Sequence, residues 1–132
     1  MYTMKEVCDQ VGISYETLRF YCNEGLVPNV KRDIHNYRLF DERNVSWLKS
    51  LQCLKKCDMS IKDMKKYMNL CLDGASSIPD RKHMLAVQRE LLLSKVCEIN
   101  ESIAYIDNKQ KFFDDVLTGE IKYTSNLIEV DK

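Results

Sequence analysis

The sequence predicts a mainly α-helical chain, in which four short helices and one small hairpin precede a single long helix. Three observations carry that expectation. Capping residues stand before successive short runs of apolar residues at helical spacing, one stretch rich in Pro, Asn and Asp interrupts those runs, and the last third keeps apolar residues at three- and four-residue steps. A chain of 132 residues accommodates one small domain plus an extended element, but not two full-sized domains.

Thr3-Met4-Lys5-Glu6 has the capping-box pattern, and Met4, Val7, Cys8 and Val11 follow on one helical face, with Gly12 closing the helix. Ser14 is a second N-cap; Leu18, Tyr21 and Cys22 share a face, and Gly25 fits the left-handed position that stops a helix. Two short helices joined by a tight glycine-containing turn make a helix-turn-helix. From Val27 to Phe40, Pro28, Asn29, Asp33 and Asn36 are interspersed with Val30, Ile34, Tyr37 and Leu39, which reads as a hairpin wing. Asp41 caps a third helix through about Cys57 that buries Val45, Leu48, Leu51 and Leu54, and Ser60 caps a fourth carrying Ile61, Met64, Tyr67, Met68 and Cys71.

Gly74 to Pro79 is composed like a linker, and Pro79 suits the first turn of a new helix. Beyond it Leu85, Leu92, Val96, Ile99, Ile103, Ile106, Phe113 and Leu117 form a seam that Arg89 and Gln110 interrupt. A helix of roughly 38 residues is about 57 Å long, more than a small front domain can cover, so the stripe points to a coiled-coil homodimer. The alternative is a long helix folded back on its own domain. The expected organisation is a winged helix-turn-helix domain over 1–73, a linker over 74–79, a dimerisation helix over 80–118 and a tail over 119–132.

Lys+Arg and Asp+Glu both count 20, yet residues 1–70 hold 12 basic and 9 acidic side chains, an excess that favours an anionic partner at the front. No apolar run approaches the ~20 residues that span a bilayer, and the N-terminus lacks the succession of regions that makes a secretion signal, so a cytoplasmic location away from membranes is expected. Six cysteines in such a compartment are expected to be reduced thiols.

Ser14, Tyr15, Glu16, Thr17 and Arg19 occupy the first turns of the second helix, the part that a recognition helix pushes deepest into a major groove. Arg19 can pair with a guanine or clamp a phosphate, and Tyr21 can donate to phosphate. Lys31, Arg32 and Arg38 on the wing suit the flanking backbone. These residues together, with Met4-Lys5-Glu6-Val7, Glu24-Gly25-Leu26-Val27-Pro28, Asn36-Tyr37-Arg38-Leu39-Phe40 and Met59-Ser60-Ile61, resemble a MerR-family transcription regulator over residues 2–118. The resemblance implies a winged helix-turn-helix dimerised through an antiparallel coiled coil, with Arg19, Phe20, Tyr21, Tyr37 and Arg38 at promoter DNA. It also implies that the activated dimer bends and underwinds a spacer so that RNA polymerase can use the shared promoter, a deformation that costs several kcal/mol by elastic estimates. This sequence departs from the family in three places: Phe20 and Phe40 stand where tyrosine is frequent, and Asn36 replaces the usual wing-turn glycine, a change asparagine tolerates.

No cysteine follows Cys97, so the metal-binding cysteine loop found in metal-sensing relatives is missing, and neither a metal nor a cofactor is expected. Cys53 has Lys49 four residues before it and Lys56 three after, a setting that favours thiolate. Its surroundings are similar to the branch linked to aldehyde, electrophile and nitrosative stress, where a cysteine in this helix is the implied sensor; most helix cysteines, by contrast, are inert small hydrophobes. Cys57 is one turn on, too poorly placed on an intact helix for a disulfide. The residues leave open a metal-responsive or effector-independent regulator. An enzyme is not expected, because His35 and His83 lie on different elements with no evident relation to a cysteine. A non-DNA helical scaffold explains the seam but not the arginines and tyrosines of the second helix and wing.

Overall fold

The computed structural model describes residues 1–130, with α1 at Met4–Val11, α2 at Tyr15–Asn23, a hairpin of β1 at Lys31–Arg32 and β2 at Arg38–Leu39, α3 at Glu42–Lys56, α4 at Ile61–Leu72, a 3-10 turn at Ala75–Ser77, and α5 at Ile78–Leu117. The last two residues of the expected tail lie outside the described residues. Among those described, no helix is long and apolar enough to cross a membrane.

The helix starts follow their caps. Thr3 and Glu6 form the reciprocal box, and the Ser14 and Ser60 hydroxyls accept from the backbone N–H groups of Thr17 and Asp63. Asp41 does more than cap α3, because Asn44 answers it with a second reciprocal box. Gly12 and Gly25 take positive φ at the ends of α1 and α2, where a Cβ would strain the chain.

The chain divides into two compact units, Met1–Glu90 and Leu91–Lys132. The first holds one core, in which Val7, Leu18, Leu26, Phe40, Leu48 and Leu51 are fully buried and Tyr21 and Met64 nearly so. Burial of each such side chain contributes about 1.5–3 kcal/mol against the entropy of ordering it. Trp47 donates to the Leu26 carbonyl at 2.7 Å and stacks on Tyr67 with rings 6.5 Å apart, joining α3 and α4 to the segment after α2. Asn44, itself buried, donates to the Pro28 carbonyl at 2.9 Å and so anchors the root of the wing to α3.

One expectation changes. Residues 74–79 form no linker: Ser77 is buried and donates to the Leu70 and Gly74 carbonyls, Arg81 donates to Gly74 at 2.8 Å, and α5 has begun by Ile78. The first unit then continues along α5 to Glu90, where buried Gln88 donates to the Cys57 carbonyl at 2.8 Å. The wing is the small hairpin expected between Val27 and Phe40. Its antiparallel strands hold two residues each, pairing Lys31 with Leu39 and Arg32 with Arg38, and Ile34 lies in the turn. A separate bridge pairs Tyr2 with Phe40 and closes the hairpin base against the N-terminus.

In the second unit, α5 presents Val96, Ile99, Ile103, Ile106, Phe113 and Leu117 as exposed side chains, while Leu92 is half-buried. Leu85, the first residue of the expected seam, belongs to the first unit and is exposed there. Gly119 at positive φ ends the helix, with the Glu120 N–H returning to the Asp115 carbonyl at 2.9 Å.

Candidate nucleic-acid interface

Helix α2 divides its residues by the 100° step of the α-helix. Leu18 and Tyr21 face the core; Tyr15, Glu16, Arg19 and Phe20 face out, and Ser14 stands exposed at the N-terminus. The Ser14 and Thr17 hydroxyls are bonded to each other at 2.8 Å, and Ser14 Oγ accepts from the Thr17 N–H, so both serve the cap at the helix end that favours anions.

Tyr21 is the clear correction among the expected contacts. It is 2 % exposed, and its hydroxyl is buried without a hydrogen-bond partner, so it does not reach the surface to meet a phosphate. Burial raises its pKa above the usual phenol value. The exposed ring is its neighbour Phe20. Phe40 is likewise core, so its difference from tyrosine removes nothing from the surface.

The wing brings its cations to the same side as α2. One groove is lined by Thr3, Met4 and Lys5 of the α1 end, by Tyr15 and Arg19 of α2, and by Arg32, Asp33, Asn36, Tyr37, Arg38 and Leu39 of the wing. Arg32 Nη1 donates to the Asn36 carbonyl at 2.8 Å, and Arg38 Nη2 donates to Asn23 Oδ1 at 2.8 Å. A guanidinium has five N–H donors, so both arginines are oriented by one bond with the others left for a ligand. Lys31 is exposed on β1 but does not line this groove.

Sequence reasoning missed a pair of depressions on the other flank of α2. One is lined by Thr17, Gln52, Lys55 and Lys56, the other by Thr17, Phe20, Lys55, Ser60 and Ile61. No spacing signals them, because they arise where the end of α3 packs beside α2. Asn23 and Asn44 were missed for the same reason: their partners are 15 and 16 residues away.

Cys53 is exposed on α3 and Cys97 on α5, whereas Cys8, Cys22, Cys57 and Cys71 are half-buried; all six are free thiols. Burial pushes the Cys22 thiol up, an effect the Arg38 and Arg32 cations oppose, and burial with the nearby Asp9 charge raises Cys8. Among the described residues no three His, Cys, Asp or Glu side chains gather as a metal site.

Residues 2–71 match the family described as MerR HTH family regulatory protein. The chain belongs to that MerR family. MerR proteins are DNA-binding transcriptional regulators and not enzymes. An uncharacterised HTH-type transcriptional regulator of Haemophilus influenzae is 35% identical over 112 residues, covering 85% of this chain and 83% of that one. The regulator AdhR of Bacillus subtilis is 35% identical over 88 residues, covering 67% of this chain and 63% of its own. Among solved structures, HiNmlR, described as a MerR family regulator lacking the sensor domain and bound to promoter DNA, is 33% identical with a TM-score of 0.70, covering 89% of this chain and 93% of that one. The MerR order of helix-turn-helix, small wing and long helix is the order found here.

Proposed function

We propose that this MerR protein binds an inverted-repeat promoter site as a homodimer and activates transcription by distorting the spacer DNA, in response to an electrophile that modifies Cys53. The observation that carries the DNA reading is the shared groove, in which Arg19 of α2 and Arg32, Tyr37 and Arg38 of the wing converge. Phosphates meet cations there while Tyr15 and Phe20 point outward from the same helix. Lys31 adds charge beside the groove, and Lys55 and Lys56 add it on the far flank of α2. HiNmlR, bound to promoter DNA, supports the same reading by similarity.

The dimer reading rests on the exposed apolar stripe of α5, whose steps of three and four residues from Val96 to Ile106 are those of a coiled-coil seam. An antiparallel pairing is the family arrangement. Two recognition helices related by a two-fold axis require an operator with two-fold symmetry.

The signal reading rests on Cys53, whose exposure gives small electrophiles access. Its thiolate adds to an aldehyde carbonyl, forming a carbon–sulfur bond, and the carbonyl oxygen takes up a proton. In this reading the modified side chain acts through α3, whose last turn, with Lys55 and Lys56, lies beside α2.

Titration of the duplex upstream of the protein's own gene tests the DNA reading. Affinity should fall steeply between about 50 and 200 mM salt, and Arg19→Ala should abolish specific retention. Cys53→Ser should bind DNA normally and lose aldehyde-induced transcription; an undiminished response removes Cys53 from the mechanism.

A further inference from the structure

We propose that Ile34, at the tip of the wing, is an apolar wedge that enters the minor groove beside each half-site and helps to deform the DNA. This rests on the DNA reading above and adds to it a contact of a different kind. Ile34 is 95% exposed, more than any other large hydrophobic among the described residues.

The turn that presents it is closed by its own hydrogen bonds. Asp33 Oδ1 accepts from the N–H groups of His35 at 2.8 Å and Tyr37 at 2.9 Å. The Asp33 N–H donates to the Tyr37 carbonyl at 2.9 Å, the Asn36 N–H donates to the Asp33 carbonyl at 3.0 Å, and Arg32 holds the Asn36 carbonyl from outside. Asn36 supplies the positive φ that the reversal requires. These bonds close the loop on itself and leave the isoleucine directed away from it. Turn positions favour Gly, Asn, Asp and Ser, so a β-branched hydrocarbon here serves no need of the turn. Because the loop is already ordered, binding through it has little conformational entropy left to lose.

The groove tells where the tip goes. In B-DNA one sugar-phosphate strand separates the major groove from the minor. A strand lying between Arg19 of α2 and Arg32 and Arg38 of the wing leaves α2 on the major-groove side and sets the wing tip over the minor groove. That groove is only about 6 Å wide, too narrow for a helix but open to one side chain, and apolar side chains inserted there unstack a base step and bend the duplex toward the major groove. Such insertion also gives specificity without a hydrogen bond: a pyrimidine–purine step yields most easily, and A·T pairs lack the guanine amino group that would meet the hydrocarbon.

The test uses the full chain and the duplex upstream of its own gene, with 2-aminopurine placed in turn at the minor-groove steps flanking each half-site, located by hydroxyl-radical footprinting. Wild-type protein and Ile34→Leu should raise the fluorescence at one such step and bend the duplex, read by energy transfer between its ends. Ile34→Ser should still bind, with an unchanged salt slope and about tenfold lower affinity, but without the fluorescence rise and with a smaller bend. If Ile34→Ser, while bound, bends and unstacks the duplex as the wild type does, the wedge is refuted and the DNA reading stands. If wild-type protein ignores the duplex at low salt, the DNA reading itself fails and takes the wedge with it.

Discussion

Arg38 of the wing donates to Asn23 Oδ1 at the end of α2, 2.8 Å away. That bond fixes the separation of two elements that are 15 residues apart in sequence, and with it the width of the groove that a DNA backbone would occupy. Asn23→Ala leaves the guanidinium in place but free to swing. DNA affinity should fall about threefold to tenfold, in line with the net worth of one hydrogen bond to a charged group. Thermal stability should barely change. Fluorescence anisotropy with the operator duplex, beside a melting curve, checks both.

Tyr21 has a buried hydroxyl with no partner. An unsatisfied buried polar group costs about 1–3 kcal/mol, so Tyr21→Phe should be at least as stable as wild type in urea and should bind DNA equally well. Weaker DNA binding by Tyr21→Phe would mean that the hydroxyl reaches a phosphate after all.

Asn44 serves two structures at once, completing the α3 capping box with Asp41 and holding the Pro28 carbonyl at the wing root. Asn44→Ala should destabilise the first unit by about 2–3 kcal/mol in denaturant titration. Asp41→Asn, which keeps a capping oxygen, should cost far less.

The cysteines should react in a definite order. Cys53 and Cys97 are exposed and should be alkylated first. Cys22 and Cys8, whose pKa values are raised mainly by burial, hold less thiolate at pH 8 than an ordinary thiol and should lag until the pH rises further. Mass spectrometry of the intact chain during timed iodoacetamide treatment at pH 7 and pH 9 reads the order directly.

Glu6 accepts from the backbone and side chain of Thr3, which holds its carboxyl below the usual carboxylate range. A depressed folded-state pKa stabilises the helix start at any pH above the unfolded value of 4.5, and that contribution is lost as the pH falls through the lower folded value. Amide exchange at the first turn of α1 should therefore quicken in acid, and Glu6→Gln should remove that dependence.

Most of the architecture could be read from the chain because helix boundaries are set within four residues. Thr3 with Glu6, Ser14 with Thr17, and Ser60 with Asp63 are local pairs whose geometry a sequence states outright. The long helix α5 was legible on the same ground, as a period repeated along its length. The candidate site was read in part. Arg19, Arg32, Tyr37 and Arg38 do share a groove, whereas Lys55 and Lys56 entered only with the packing of α3 beside α2.

By itself, then, the sequence determined where the first four helices start, which residues repeat on a face, and that cations and aromatic rings accumulate near α2 and the wing. Tertiary structure alone decided which of two adjacent rings, Phe20 or Tyr21, meets solvent, that Gln88 holds the Cys57 carbonyl, and that Ile34 stands clear of everything. Caps and periods are energies of near neighbours, legible wherever the residues occur. The inward or outward sense of a side chain depends on which distant segment closes over it, a contact that exists only once the chain has folded.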